Sequence, residues 1–374
     1  MRVRAAVLET MGAAPPYSVS RPLRIQEVEL DPPGPGEVLV RIAAAGLCHS
    51  DLSVINGDRP RPLPMVLGHE AAGTVEEVGP GVDDLARGDP VVLVFVPSCG
   101  HCLPCMEGRP ALCEPGAAAN GAGTLLSGAR RLRRDGEPVN HHVGVSAFAE
   151  YATVSRRSLV KIDPELPLDE AALFGCAVLT GAGAVINTAG VRPGQTVAVV
   201  GLGGVGLCAL LAAVASGARE IVAVDLLPEK LAFARQLGAT MTFDAREERA
   251  AEAIREATRG GVDFAFELAG SAKALELAWA ITRRGGTTIT AGLPHPSARL
   301  PVPIVQLVAE ERALKGSYIG TAVPARDVPR LIELFRKGRL PVDRLVSGRL
   351  SLDEVNEGFD RLARGQAIRQ IVAP

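Results

Sequence analysis

Two rhythms of apolar and polar residues divide this chain. Up to about residue 160 the apolar residues come in short runs, over 3–8, 23–30, 37–44, 73–78 and 90–96, separated by turn-forming stretches such as Asp-Pro-Pro-Gly-Pro-Gly-Glu at 31–37 and Gly-Pro-Gly-Val-Asp-Asp at 79–84. Proline removes a backbone donor and glycine opens positive φ, so runs bounded in this way predict short strands of an irregular antiparallel barrel. From about residue 169 the rhythm changes. Runs of five or six mostly apolar residues at 196–200, 220–224, 261–266 and 287–291 alternate with helical patterns over 205–216, 228–237, 247–258 and 272–283. That alternation predicts an α/β unit with a doubly wound parallel sheet. Beyond residue 320, amphipathic helices are predicted over 327–337 and 352–364, the second opened by Ser351 with Glu354 three residues on, a capping box. With no internal repeat and no low-complexity linker, the second domain reads as an insertion in the first.

Composition narrows the function classes. A chain of 374 residues exceeds one ordinary core, which supports two domains. The formal net charge of −2 gives no bulk reason to bind nucleic acid or an anionic membrane. The basic run Arg130, Arg131, Arg133 and Arg134 predicts a solvated hairpin or loop rather than an anion site. The N-terminal residues have charge but no apolar signal core, so the cytoplasm is the expected compartment. The uncharged stretch 196–218 is long enough to suggest a membrane span, but its five glycines and nucleotide-binding pattern assign it to a buried strand, turn and helix.

Cysteine placement changes the picture most. Cys99, Cys102, Cys105 and Cys113 give Cys-x2-Cys-x2-Cys-x7-Cys, a spacing able to close a tetrahedral zinc site whose sulfurs would draw in backbone N–H groups, with Gly100 and Gly108 suiting that backbone. A disulfide pair is the competing reading, which the odd count of seven cysteines and a reducing compartment weigh against. Cys48, His69 and Cys176 form a second possible set, with three ligands and one open position. Spacing alone leaves that set open, since lone cysteines also serve as small buried hydrophobes and a lone histidine as a hydrogen-bonded core residue. Cys208 is left over and reads as a buried small hydrophobe.

Gly201, Gly203, Gly204 and Gly206 follow the strand Thr-Val-Ala-Val-Val and open a helix, which lets backbone N–H groups approach a pyrophosphate. Asp225 ends the next strand, where a carboxylate accepts ribose hydroxyls and repels a 2′-phosphate. Leu226 and Leu227 after it offer no cation, so the pattern predicts NAD rather than NADP.

Gly68-His69-Glu70-Ala71-Ala72-Gly73, the run Cys48-His49-Ser50-Asp51, the four-cysteine loop, the glycine turn and Asp225 together resemble the zinc-dependent medium-chain alcohol dehydrogenases over nearly the whole chain. The stretch 113–142 is similar to the longer, liver-type branch. The resemblance implies a GroES-like antiparallel β catalytic domain over 1–178 and 321–374, with a structural zinc loop at about 97–115 and an inserted Rossmann domain over 179–320. It implies Cys48, His69 and Cys176 as catalytic zinc ligands, Asp51 as the carboxylate that fixes His69, Glu70 behind the metal and Ser50 as acceptor of the alcohol proton. Implied cofactor contacts are His49, Thr180, Val205, Lys230, Leu268, Leu293 and Arg369 beside the glycines and Asp225. The implied pocket lining is Phe95, His142, Val143, Leu293 and Tyr318, with Arg59 near the mouth. Two zinc ions per chain, NAD and a homodimer, or alternatively a tetramer, complete the expectation.

This chain departs from the family pattern at several positions. His49 stands where an arginine is common, which implies a weaker, pH-sensitive contact. Ser53 occupies the place of a proton-relay histidine and is no base at neutral pH, so proton release is expected through ribose and water. His142 replaces an apolar side chain, either to orient a substrate or turned to solvent. The activity implied is reversible oxidation of a primary alcohol, aliphatic or aromatic. Glutathione-dependent formaldehyde oxidation is the alternative, and the arginine it needs after Cys113 is missing from Glu114-Pro115-Gly116-Ala117. A catalytically silent NAD- and zinc-binding protein is the reading from another class, which the complete set of Cys48, His69, Cys176 and Ser50 argues against.

Overall fold

Short strands separated by Pro and Gly, then strands alternating with helices, build the two halves of the protein. The computed structural model describes residues 1–95 and 97–374; residue 96, the last of the run expected as a strand over 90–96, lies outside the described residues. One compact unit comprises Met1–Cys176, Val323–Pro329 and Asp343–Pro374, and the other Ala177–Ala322 and Arg330–Val342. The stretch 330–342, placed in the first domain from the sequence, thus groups with the second unit; it lies across the end of the helix Pro324–Arg336.

In the first unit, the strands Arg2–Leu8, Leu23–Leu30, Leu132–Arg134, Glu137–His141 and Met65–Val66 close into a barrel. A seven-stranded sheet runs beside it in the order Leu159–Lys161, Pro90–Val94, Glu70–Val78, Glu37–Gly46, Arg369–Ala373 and Val346–Ser351, with Tyr151–Ser155 also paired to Glu37–Gly46. Pairing is antiparallel except at two places, Met65–Val66 with Glu137–His141 and Val346–Ser351 with Arg369–Ala373. Phe148, Leu67, Leu47 and Phe359 are buried in the core that the site-bearing strands enclose.

The basic run forms a hairpin, as predicted, but its solvation is corrected. Arg131 Nε donates to Glu37 Oε2 at 2.7 Å, and Glu37 is only 1% exposed. Burial pushes the Glu37 carboxyl up, yet the Ser127 hydroxyl, Arg131 and the Gly34 N–H hold it below the ordinary range. Arg134 pairs with Glu9. The run anchors the barrel through carboxylates distant in sequence.

The second unit is a six-stranded parallel sheet, ordered Met241–Asp244, Glu220–Asp225, Thr196–Val200, Val262–Glu267, Thr282–Thr290 and Ala313–Gly316. Numbered along the chain this is 3-2-1-4-5-6, the Rossmann order, whose reversal beside the first strand marks where ligands bind. Every residue of Thr196–Val200 is buried, as a strand covered on both faces requires. The uncharged stretch beyond it turns into the buried helix Gly204–Ala215, and no single helix among the described residues is long and apolar enough to cross a membrane. The helix expected over 272–283 ends at Ile281. There the Thr282 hydroxyl bonds the Ala278 carbonyl, and the next strand begins at once.

Candidate functional site

Cys48 precedes the helix His49–Ile55 in extended conformation, directly after the strand Glu37–Gly46. His69 immediately precedes the strand Glu70–Val78, and Cys176 follows the 3-10 turn Ala172–Gly175. This folding brings three residues far apart in sequence together: the ligand atoms of Cys48, His69 and Cys176 all lie within 4.8 Å of one another, and all three residues are buried. Two glycines allow the approach. A Cβ on Gly68, whose φ is +89°, would lie 2.6 Å from the Phe148 nitrogen, and one on Gly175 would lie 2.3 Å from the Leu93 carbonyl oxygen.

Asp51, buried on the first turn of the helix, ties the set together. Its Oδ1 accepts the Gly68 N–H at 3.1 Å and lies 3.1 Å from His69 Nδ1. The other imidazole nitrogen, Nε2, is buried and has no hydrogen-bond partner among the described residues. Two buried thiols, a buried nitrogen lone pair and a carboxylate on the far side of the ring fit a zinc ion with three protein ligands. Burial lowers the His69 pKa, but the charges of Asp51 and Cys48 outweigh it and hold the imidazole well above its ordinary value. The Cys176 thiol, hydrogen-bonding Cys48, pulls the Cys48 thiol down in favour of thiolate. Ser50 is half-buried and His49 exposed on the same turn. The Phe95 ring stands edge-on to His69, with centroids 5.1 Å apart.

Two features here were not foreseen. Glu70 is fully buried, and Arg369, 4% exposed, donates from Nη1 to Glu70 Oε2 and to the Leu47 carbonyl, both at about 3.3 Å or less. Arg369 thus has two protein acceptors within its own unit, neither of which the sequence announced. His142, also buried, is not turned to solvent: its Nδ1 lies 3.2 Å from Asp51 Oδ1 and its ring 5.6 Å from that of His69. Val143 beside it is buried, and Arg59 is half-buried.

The four-cysteine loop has its ligand atoms within 4.8 Å of one another, and all seven cysteines are free thiols. Four backbone N–H groups point at sulfur: Cys99 to Cys113 at 3.1 Å, Gly116 to Cys113 at 3.3 Å, and His101 and Cys102 to Cys99 at 3.5 and 3.3 Å. Cys113 caps the helix Glu114–Ala122 through the Gly116 bond. The His101 N–H holds Cys99 down to about 6, whereas burial pushes Cys105 up to about 12. Four sulfurs served by backbone donors fit a closed zinc site that does no chemistry.

In the second unit, Gly201 takes φ +96° at the end of the first strand, and a Cβ there would lie 2.6 Å from the Ala269 nitrogen. A Cβ on Gly206 would lie 1.8 Å from the Gly201 carbonyl oxygen, so only glycine allows the helix Gly204–Ala215 to start this close to the turn. Asp225 Oδ2 accepts the Leu202 N–H at 2.7 Å and Oδ1 that of Leu226 at 2.8 Å, which ties the strand end to the glycine turn. Glu267, 1% exposed, was missed from the sequence: its carboxylate accepts N–H bonds from Ala269 and Gly270 and the Thr290 hydroxyl, fixing the loop that begins at Leu268. An acidic residue closing an apolar strand was the available signal. Thr180, Val205, Lys230 and Leu268 are half-buried, and Leu293 and Tyr318 are exposed.

Comparison with known proteins gives a consistent set of relatives. Residues 34–164 match the alcohol dehydrogenase GroES-like domain family, and residues 204–337 match the zinc-binding dehydrogenase family. A protein of Mycobacterium tuberculosis, provisionally named alcohol dehydrogenase D, is 40% identical over 377 residues, spanning 100% of both chains. The crystal structure of benzyl alcohol dehydrogenase from Acinetobacter calcoaceticus superposes with a TM-score of 0.93 at 34% identity, covering 100% of this chain and 99% of that one. A protein of Sinorhizobium meliloti provisionally assigned as a zinc-binding dehydrogenase, solved bound to NADP, superposes with a TM-score of 0.81 at 28% identity over 100% of both chains.

Proposed function

The chain belongs to the zinc-dependent medium-chain alcohol dehydrogenases, and from that premise we propose that it interconverts a primary alcohol, aliphatic or aromatic, and its aldehyde with NAD as hydride carrier. The observation that carries this reading is the buried triangle of Cys48, His69 and Cys176, with Asp51 on the imidazole and Ser50 on the adjoining helical turn. A zinc ion held by Cys48, His69 and Cys176 would supply Lewis acidity towards an alcohol oxygen, and NAD would supply the hydride-accepting chemistry. Asp51 keeps the His69 proton on Nδ1, which leaves the Nε2 lone pair for the metal. Ser50 takes the alcohol proton. Glu70 and Arg369 offset each other's charge, so the pair adds little net charge to the site.

In this reading the N–H groups at Gly203, Gly204 and Val205 hold the pyrophosphate, and Asp225 holds the adenosine ribose. His49, Thr180, Lys230, Leu268, Leu293 and Arg369 are the further cofactor contacts; Phe95, His142, Val143, Tyr318 and Arg59 belong to the substrate side. Asp225 followed by Leu226 and Leu227 supports NAD over the NADP bound by the Sinorhizobium protein. Aromatic alcohols are favoured because the Acinetobacter neighbour is a benzyl alcohol dehydrogenase. A screen of benzyl alcohol, hexanol and a terpenoid alcohol with NAD and NADP, with and without glutathione plus formaldehyde, tests the reading. NAD reduction by benzyl alcohol is expected, and reduction only in the presence of glutathione would overturn it.

We further propose a homodimer in the cytoplasm, where thiolate ligands stay reduced. The strand Ala313–Gly316 ends the six-stranded sheet, and Ile304, Val305 and Val308 are each 76% exposed just before it. An open edge beside exposed apolar side chains is a surface that a second copy would cover. Light scattering that gives the mass of one chain would contradict this assembly, and four chains would replace it with a tetramer.

A further inference from the structure

His142 is a second imidazole on the carboxylate that fixes His69. Asp51 Oδ1 accepts the Gly68 N–H at 3.1 Å and faces His69 Nδ1 at 3.1 Å, while His142 Nδ1 approaches the same oxygen at 3.2 Å from the opposite segment of the unit. All three side chains are buried, with Asp51 fully so and His142 2% exposed. The His142 approach is close but off the hydrogen-bond line, and Nδ1 has no other partner among the described residues; nor does Asp51 Oδ2. His142 Nδ1 is buried without another partner among the described residues, and the Asp51 carboxylate, which already serves Gly68 and His69, is the acceptor at contact distance.

The segment after His142 is built at a cost to hold it there. Val143 and Ser146 take φ of +45° and +56°, and Gly144 takes +74°. For β-branched Val143 this is a strained conformation that persists only where its surroundings impose it. What imposes it is a set of short bonds: His142 N–H donates to Ser146 Oγ at 2.9 Å, Val145 N–H to the His142 carbonyl at 3.0 Å, and Ala147 N–H to the Gly68 carbonyl at 3.0 Å. The last of these ties the turn to the residue immediately before His69. The His142 ring also stands edge-on to the His69 ring at 81°, which limits rotation of the ligating imidazole.

We propose that His142 is a positioning residue for the catalytic zinc: its Nδ1–H serves Asp51 Oδ1 and keeps that oxygen, rather than the unpartnered Oδ2, on His69. This rests on the zinc site proposed above. Without the third donor the carboxylate can rotate about its Cβ–Cγ bond and release the imidazole; partners of this kind, one step behind a ligand, typically change metal affinity 10- to 100-fold.

The test compares the zinc-loaded wild type with His142→Phe, which keeps the ring and removes the donor, and with His142→Asn, whose amide restores a donor at the Nδ1 position. Zinc transfer to a chromogenic chelator is followed in each, with the four-cysteine zinc as internal reference. His142→Phe is expected to accelerate release of one zinc per chain by about tenfold and to leave the other unchanged, while His142→Asn stays within about threefold of wild type. The cobalt-substituted His142→Phe protein is expected to show a shifted ligand-field spectrum. Unchanged release in His142→Phe overturns the proposal, as does equal acceleration of both zinc ions, which would report general loosening of the fold. Three zinc ions per chain would also overturn it, by making Asp51, His69 and His142 a metal site of their own. A wild type that holds only one zinc sinks instead the proposed catalytic site on which the inference rests.

Discussion

Ser53 illustrates how one position can reroute a proton. Its hydroxyl donates to the His49 carbonyl at 2.9 Å within the helix, so it is engaged with the backbone and has no lone base to offer. Replacing it by histidine would put a base of pKa about 6.5 one turn from Ser50. Ser53→His should therefore raise alcohol-oxidation rates most between about pH 6 and 7, and a pH profile parallel to wild type would contradict this. At the same scale, the sequence was legible where chemistry is written in residue type. Cysteines and a histidine next to glycine and glutamate declare themselves once a family pattern is at hand. The contacts behind them were not legible. Arg369 meets Glu70 across 299 residues of chain, and nothing in either residue's neighbourhood announces the partner. His142 offered only the anomaly of a polar residue at an apolar position, with two opposed readings, and burial against Asp51 removes the solvent-facing one.

Among the elements, those with long apolar runs were read closely and those with charged or very short strands were missed. Thr196–Val200 is all apolar after its first residue and was unmistakable, whereas Leu132–Arg134 reads as basic and becomes a strand because Asp31 and Glu9 receive its two arginines. Met241–Asp244 and Ala313–Gly316 escaped notice for the related reason that four residues carry no period; the parallel sheet recruits them by backbone pairing. The hairpin carries its own pH signature. His141, at its end, is buried, and its Nε2 accepts the Arg131 N–H at 3.0 Å, which requires a neutral ring. Burial, against the pull of Glu37 and with the repulsion of Arg130 and Arg131, brings its pKa down to about 4. The unfolded chain, with a histidine near 6.5, therefore binds the extra proton first. Stability from this group is complete above about pH 6.5 and falls as the pH drops towards about 4, by about 2 kcal/mol at pH 5. Chemical denaturation at pH 7 and pH 5 should show a smaller loss in His141→Gln than in wild type; equal losses would contradict the assignment.

At the scale of the whole molecule, two units divide the work. One gathers seven cysteine and histidine ligand candidates into an interior triangle and a surface loop, and the other presents a glycine turn whose neighbouring carboxylates, Asp225 and Glu267, are committed to backbone donors. The division was legible from the change of rhythm near residue 169, and the return of the chain after residue 320 was expected too; the grouping of 330–342 with the second unit was not legible, because the helix Pro324–Arg336 belongs partly to each unit and its pattern is amphipathic throughout. The central claim is that the interior triangle, not the conspicuous four-cysteine loop, does the chemistry. Zinc content and benzyl alcohol-dependent NAD reduction, measured side by side on wild type and on Cys48→Ser, test it most directly. The account predicts two zinc ions and turnover in the wild type, with one zinc, an intact fold and no turnover in the variant; a variant that keeps its turnover, or a wild type with one zinc and none, would contradict it.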